Sequence, residues 1–250
     1  MRFKSKKVLV TGGTRGIGAA CVKAFLAEGA QVAVNGRTES SVSKALLDYT
    51  TDVIGAPGDV SSAIGCKAAV NAAVQGLGGL DVLVNNAGIF ISGSVETMSE
   101  EDWDAVMQAN VKSVQFCSKY AIPALRAVKG NIVNIASESG LNGYPNTTAY
   151  CASKGAVVNQ TRAMAMELAP DIRVNALCPG VVETDMTRVG FAIDGDQDAG
   201  IQAQQNAYPT GRTGTLEEAA AAVLFLASSD AGFINGAALP MEGGATVGKW

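Results

Sequence analysis

Short apolar runs alternate with longer stretches of helical period along the whole chain. The runs Val8–Val10, Gln31–Val34, Val53–Ala56, Val82–Val84, Asn131–Ile135, Arg173–Leu177 and Ala238–Met241 read as strands. Between them, apolar residues recur at helical spacing from near Gly16, Ser40, Ser61, Ser99, Thr147 and Leu216. Strands that are apolar on both faces and separated by helices predict a parallel sheet covered on both sides. No repeat or low-complexity segment interrupts the rhythm, so residues 1–250 are expected to form a single α/β domain. One stretch lacks it. Glu183–Thr215 carries Gly190, Gly195, Gly200, Gly211 and Gly214 with Asp194, Asp196 and Asp198. A connection this long in a compact domain is usually functional or mobile. Because it follows a strand, it belongs at the carboxyl edge of the sheet, where such folds bind ligands. It reads as a substrate loop or lid at about 183–215, the alternative being a disordered surface loop.

Composition narrows the classes. Hydrophobic residues make up 48% of the 250 and charged residues 17%, with a formal net charge of −4 and no basic block. Nucleic acid is therefore excluded as a partner, since phosphate neutralisation needs clustered Lys and Arg. The five cysteines (Cys21, Cys66, Cys117, Cys151, Cys178) form no CxxC pair and histidine is absent, so no metal site is expected. No apolar run reaches the length of a membrane span, and "MRFKSKK" leads straight into a strand. A cytoplasmic protein with reduced thiols and no membrane partner is expected.

The first candidate site is "VLVTGGTRGIGAA". It follows a strand and opens a helix, the context in which a glycine-rich turn carries meaning. Gly12, Gly16 and Gly18, spaced Gly-x-x-x-Gly-x-Gly, let backbone N–H groups and a helix N-terminus meet a pyrophosphate. Folds that prefer NAD usually end the second strand with an acid on the ribose 2′-hydroxyl. Here "VAVNGR" places Gly36 there and Arg37 next. Arg37, joined by Arg15, suits a 2′-phosphate, so NADP(H) is favoured. If both arginines are merely solvated, NAD(H) is equally acceptable.

The second candidate site is "YCASK", with Tyr150 and Lys154 one helical turn apart and Ser137 thirteen residues upstream. A phenol beside an ammonium runs acid–base chemistry without imidazole. Lowering a tyrosine from about 10 to about 7 needs roughly 4 kcal/mol. A cation about 4 Å away at an effective dielectric of about 20 supplies an interaction of that order. Taken alone, the pair is equally compatible with a solvated helix face.

Together these residues resemble the short-chain dehydrogenase/reductase family along essentially the whole chain. "TGGTRGIG", "NNAG" at Asn85–Gly88, Asn110, Ser137, "YCASK", Pro179–Gly180, Thr184 and the terminal "GRTGTLEEAAAAVLFLAS…ALPMEGG" fall in family order. The resemblance implies a Rossmann-type doubly wound fold with a seven-stranded parallel sheet ordered 3-2-1-4-5-6-7 and helices on both faces. It implies an enzyme in which Tyr150 is the general acid in reduction and the base in oxidation. Lys154 would lower its pKa and bind the nicotinamide ribose, Ser137 would hydrogen-bond the substrate oxygen, and Asn110 would hold a water in a proton relay. Cofactor contacts would come from Gly12, Thr14, Arg15, Gly16, Ile17, Gly18, Arg37, Asp59, Val60, Asn86, Ala87, Gly88, Tyr150, Lys154, Pro179, Gly180, Val182 and Thr184. Asn85 and Asn86 can equally serve to stitch strand ends together.

For the substrate, a carbonyl or alcohol, the apolar Phe90, Ile91, Leu141, Tyr144, Met186 and Phe191 predict a hydrophobic pocket. Glu138 either reaches a substrate hydroxyl or points to solvent. By motif texture the chain is similar to 3-oxoacyl thioester reductases, and Arg126 with Lys129 offers a small basic patch for an acyl carrier protein. Reduction or oxidation of small cyclic, steroid-like or sugar alcohols is the alternative. A regulatory NADP-binding protein without turnover is the alternative of another class. The resemblance also implies a homotetramer, for which Ala156, Val157, Ala163, Met164 and Met166 fit a buried helix surface.

Overall fold

A computed structural model describes residues 1–248. Its centre is a parallel sheet of seven strands: β1 (Lys7–Val10), β2 (Gln31–Gly36), β3 (Ile54–Pro57), β4 (Val82–Asn85), β5 (Asn131–Ile135), β6 (Arg173–Pro179) and β7 (Ala238–Met241). Their spatial order is β3-β2-β1-β4-β5-β6-β7, as the family resemblance implies. Every residue of β4 and β5 is buried, whereas the edge strands β3 and β7 are mostly half-exposed. That burial gradient is why the central strands read as unbroken apolar runs. β2 and β6 each run two residues past the expected ends, through Asn35–Gly36 and Cys178–Pro179. These are the carboxyl ends that form the site, where polar and turn residues mask the strand signal.

The helices are α1 (Gly16–Ala27), α2 (Glu39–Leu46), α3 (Ala63–Leu77), α4 (Glu100–Met107), α5 (Ser113–Ala127), α6 (Thr148–Leu168), α7 (Asp185–Gly190), α8 (Gln197–Asn206) and α9 (Leu216–Ala227). Local chemistry sets their starts. Thr38 and Thr215 each form a capping box, with Ser41 and Glu218 respectively, and Ser62 and Ser99 cap α3 and α4. Acids Glu100, Glu101 and Asp102 in the first turn of α4 complement its dipole. One core layer packs α1 and α9 on the sheet through Val22, Phe25, Val223 and Leu224. The other packs α3, α5 and α6 through Val70, Cys117, Leu125 and Val157.

Three expectations need correction. The helix expected from Ser99 is interrupted by a π-helical segment, Gln108–Lys112, between α4 and α5. The Glu183–Thr215 stretch is not structureless: it holds two short helices, α7 and α8, joined by turns. Their glycines hide the pattern: Gly190 is the last residue of α7 and Gly200 is buried inside α8 against Phe191. The residues Ala156, Val157, Ala163, Met164 and Met166 do not share one face. Val157 and Met164 are buried in the core, while Met166 is 83% exposed.

Candidate active site

The carboxyl ends of the strands surround a cleft of about 760 Å³. At its floor the chain turns from β1 into α1 with Gly12 at φ +59° and Gly16 at φ +54°, a region L side chains rarely adopt. A Cβ on Gly12 would lie 2.9 Å from the Ala87 Cα. Arg15 precedes α1 without a side-chain cap, so the first N–H groups of the helix remain available to an anion.

The β4 exit is stitched to this turn. The Thr11 hydroxyl accepts from the Asn86 and Ala87 N–H groups at 3.0 and 3.1 Å. The Asn86 amide donates to the Thr11 and Gly12 carbonyls at 2.9 and 3.0 Å. Asn85 is buried and points the other way, donating to Asn134 Oδ1 at 2.8 Å and Ser118 Oγ at 3.1 Å. Asn85 therefore joins strands, while Asn86 both joins them and lines the cleft.

Of the residues expected to contact a cofactor, Gly12, Thr14, Arg15, Gly16, Ile17, Arg37, Asp59, Val60, Asn86, Ala87, Gly88, Tyr150, Lys154, Pro179, Gly180, Val182 and Thr184 line this one cleft. Gly18 does not. It lies behind the turn, where a Cβ would collide with the Gly12 carbonyl and stand 2.5 Å from Asn86 Nδ2, so its place is in helix–strand packing. Thr38, Ser41 and Lys44 were not singled out from sequence, yet they line the same end as Arg15 and Arg37. Their signal was there in retrospect: Ser41 and Lys44 are three apart on α2, one turn after Arg37. A Cβ at Gly36 would stand 2.8 Å from Thr14 Cγ2 and 2.9 Å from Ser41 Oγ. The acid that NAD-preferring folds place here does not fit without moving those neighbours. The glycine cradle and the uncapped helix start fit a dinucleotide, with Arg15, Arg37 and Lys44 beside Asp48 and Asp59 at this end.

At the opposite end lie Ser137, Tyr150 and Lys154. Ser137 follows β5 and its hydroxyl accepts from Ser139 N–H at 3.1 Å. Tyr150 and Lys154 lie in the first two turns of α6. The Lys154 ammonium donates to the Ile135 carbonyl at 2.9 Å and stands 5.6 Å from the centre of the Tyr150 ring. Burial pushes the Tyr150 phenol up to about 12, opposed by its hydrogen bond with Ser137 and reinforced by Cys151 and Glu138. Burial holds the Lys154 ammonium down to about 8, against the opposing influence of Cys178. The sequence argument for a phenol lowered to about 7 by a cation about 4 Å away is thus not met by these protein groups alone. Desolvation outweighs the cation, which is turned toward a carbonyl.

Asn110 is buried in the π-helical segment, outside the cleft lining. Its Oδ1 accepts from Ile89 N–H at 2.8 Å, and its amide donates to the Ile89 carbonyl and Ser153 Oγ, each at 3.0 Å. Ser153 in turn donates to the Tyr150 carbonyl at 2.8 Å. The side chain is thus a strut beneath Ile89 and Tyr150, and its Oδ1 accepts a single hydrogen bond. Beside that strut, Phe90 meets the Tyr150 ring edge-on at 5.0 Å and leans on Phe191 at 5.9 Å. The segment bearing Phe191 is braced by Arg188, which pairs with Glu183 at 3.0 Å and Asp198 at 2.8 Å. Arg126 pairs with Asp171 at 3.2 Å just before β5 begins, with Lys129 nearby, at the amino edge of the sheet. Those two cations do not form a patch beside the cleft.

A phenol, a hydroxyl and an ammonium converging at one end of a dinucleotide-sized cleft can place and protonate an oxygen. The family model described as enoyl-(acyl carrier protein) reductase matches residues 12–246. The chain belongs to the short-chain dehydrogenase/reductase family. As a member it is an oxidoreductase acting on CH–OH groups with a nicotinamide cofactor. It is 42% identical to meso-2,3-butanediol dehydrogenase of Serratia marcescens, across 99% of this chain and 97% of that one. It is also 42% identical to 2-(S)-hydroxypropyl-CoM dehydrogenase 3 of Xanthobacter autotrophicus, across 98% of each. Identity to the 3-oxoacyl-[acyl-carrier-protein] reductase of Chlamydia muridarum is 38%, across 96% of this chain and 97% of that one. Among solved structures, the aldohexose dehydrogenase of Thermoplasma acidophilum superposes with a TM-score of 0.89 at 32% identity, covering 98% of this chain and 96% of that one. Among the described residues no helix is long and apolar enough to cross a membrane, and no three or more His, Cys, Asp or Glu side chains are grouped so as to hold a metal ion.

Proposed function

We propose that the protein is a cytoplasmic, NADP(H)-dependent oxidoreductase that interconverts a small ketone and its secondary alcohol. The observation carrying this reading is the convergence of Ser137, Tyr150 and Lys154 at one end of a cleft whose other end holds Arg15, Arg37 and Lys44. When bound, the nicotinamide supplies the hydride in reduction and accepts it in oxidation. In reduction, Tyr150 gives its proton to the substrate oxygen as the carbonyl carbon gains the hydride; in oxidation it takes the proton back. Ser137 donates to the same oxygen and stabilises the charge developing there. Lys154 would orient the cofactor ribose, while Asn110 holds Ile89 and, through Ser153, the first turn of α6. Gly12–Ile17 would cradle the pyrophosphate, and Arg15, Arg37 and Lys44 would hold a 2′-phosphate.

The α7–α8 segment acts as the substrate lid, with Phe191 and Phe90 as apolar walls next to Tyr150. A compact substrate suits these walls, and the butanediol dehydrogenase relative supports that choice. The acyl-carrier-protein reductase relative supports a second reading, a 3-oxoacyl thioester, although Arg126 and Lys129 lie at the wrong edge of the sheet to guide a carrier. The family also supports a homotetramer. NADPH oxidation at neutral pH should be compared for acetoin, 2-butanone, cyclohexanone and an acetoacetyl thioester. Turnover of the small ketones is expected, and turnover of the thioester alone would overturn the compact-substrate reading. Tyr150→Phe should abolish turnover while NADPH still binds; unchanged activity in that variant would sink the mechanism.

A further inference from the structure

One buried pair near the cleft has no part in the steps above. Glu138 directly follows Ser137 and is 7% exposed, and Tyr208, beyond the end of α8, is 5% exposed. The Tyr208 hydroxyl donates to Glu138 Oε1 at 2.6 Å and accepts from Val181 N–H at 2.7 Å. It therefore binds three parts of the chain at one atom. These are the residue after the catalytic serine, the β6 exit turn Pro179–Val182, and the root of the lid. Gly180 makes room for it, since a Cβ there would stand 2.8 Å from the Tyr208 hydroxyl. The sequence signal was faint: Tyr208 is a lone aromatic in the polar run "QQNAYPT".

The arrangement is costly. The second carboxylate oxygen of Glu138 is buried without a hydrogen-bond partner. The groups that face the carboxylate are Tyr208, Tyr144 from the 141–147 loop, Glu242 after β7 and Tyr150 on α6. None is a cation. A buried carboxylate held by neutral donors, and opposed by a second acid, loses solvation that its contacts only partly return. An apolar side chain of similar size would pack there without that cost.

We propose that Tyr208 and Glu138 are positioning residues for hydride transfer. Together they lock the β6 exit turn, whose Pro179, Gly180 and Val182 line the cleft, in register with Ser137, and they fasten the lid to both. This rests on the proposed oxidoreductase mechanism. The two hydrogen bonds act as a unit, because one hydroxyl makes both.

The test uses Tyr208→Phe, Glu138→Ala and Glu138→Gln in the full chain. Tyr208→Phe should lower kcat by about 10- to 100-fold, as expected when reacting groups lose alignment, with NADPH affinity changed less than about 3-fold. Glu138→Ala should fall similarly, and the double variant no further, since non-additivity marks a single unit. Glu138→Gln keeps an oxygen to accept from Tyr208 and should recover most of that loss. Amide hydrogen exchange supplies a readout independent of turnover: Val181 N–H should exchange at least about 10-fold faster in Tyr208→Phe, with Val84 N–H in the core unchanged. If the parent turns over none of the ketones, the reaction is misread, and the exchange result still judges the lock. Parent-like kcat in Tyr208→Phe, multiplicative losses in the double variant, or unchanged Val181 exchange would each overturn the proposal.

Discussion

Replacing Asn110 with alanine tests whether this side chain is a strut. The change removes three hydrogen bonds: two with the Ile89 backbone at 2.8 and 3.0 Å, and one to Ser153 at 3.0 Å. At about 1 kcal/mol net for each, the loss is roughly 3 kcal/mol. For a chain of this size each kcal/mol lowers Tm by about 2–4 °C, so a fall of about 6–12 °C is expected. Activity should fall as well. Ile89 adjoins Phe90, whose ring edge packs on Tyr150 at 5.0 Å, and a 1 Å displacement of a reacting group costs about 100-fold in rate. Thermal unfolding followed by circular dichroism, beside kcat/KM for the best ketone, measures both effects. A Tm lowered by less than about 2 °C would refute the strut. If kcat/KM nonetheless collapsed in that case, Asn110 would act on the chemistry directly, through a bound water.

Three further outcomes are expected. Arg37→Ala should weaken NADPH by about 10- to 100-fold, the worth of a charged hydrogen bond of about 1.5–3 kcal/mol, and leave NADH nearly unchanged; equal effects on both coenzymes in fluorescence titrations would remove Arg37 from the 2′-phosphate. Burial raises Tyr144 and Tyr150 from 10 to about 12 and Tyr208 further, so the folded chain keeps protons that the unfolded chain releases above pH 10. The stability these groups contribute is complete below pH 10 and lost as pH climbs toward 12. Lys154, depressed from 10.5 to about 8, runs the other way: its contribution is present above pH 10.5 and lost as pH falls through 8. The net urea midpoint should therefore drop between about pH 10.5 and 12, and less steeply in Tyr150→Phe, whereas an identical slope would show that Tyr150 is not held protonated. Gly18→Ala forces a Cβ onto the Gly12 carbonyl and Asn86 and should cost about 1–3 kcal/mol or more of stability together with NADPH binding; a parent-like urea midpoint and affinity would show that the turn can yield.

Much of the fold was legible because its causes are local or periodic. Strands such as Val82–Asn85 and Asn131–Ile135 are buried on both faces, so they appear as plain apolar runs, and helix starts are written in caps such as Thr38, Ser62 and Thr215. The identities of Ser137, Tyr150 and Lys154, and the glycine turn, follow from spacing and family likeness. The strand order also came from that likeness, since periodicity does not encode which strands are neighbours.

Only the tertiary structure decided which partners the polar groups find. Asn110 meets the Ile89 backbone, Lys154 turns to the Ile135 carbonyl, and Gly18 packs behind the turn it helps to form. Lys44 joins Arg37, and Glu138 is buried against Tyr208 seventy residues away. Each outcome depends on contacts between segments distant in sequence and on how far burial desolvates a group. A chain read residue by residue carries the type and spacing of its side chains; the distances and dielectric that set their energies exist only once the chain has folded.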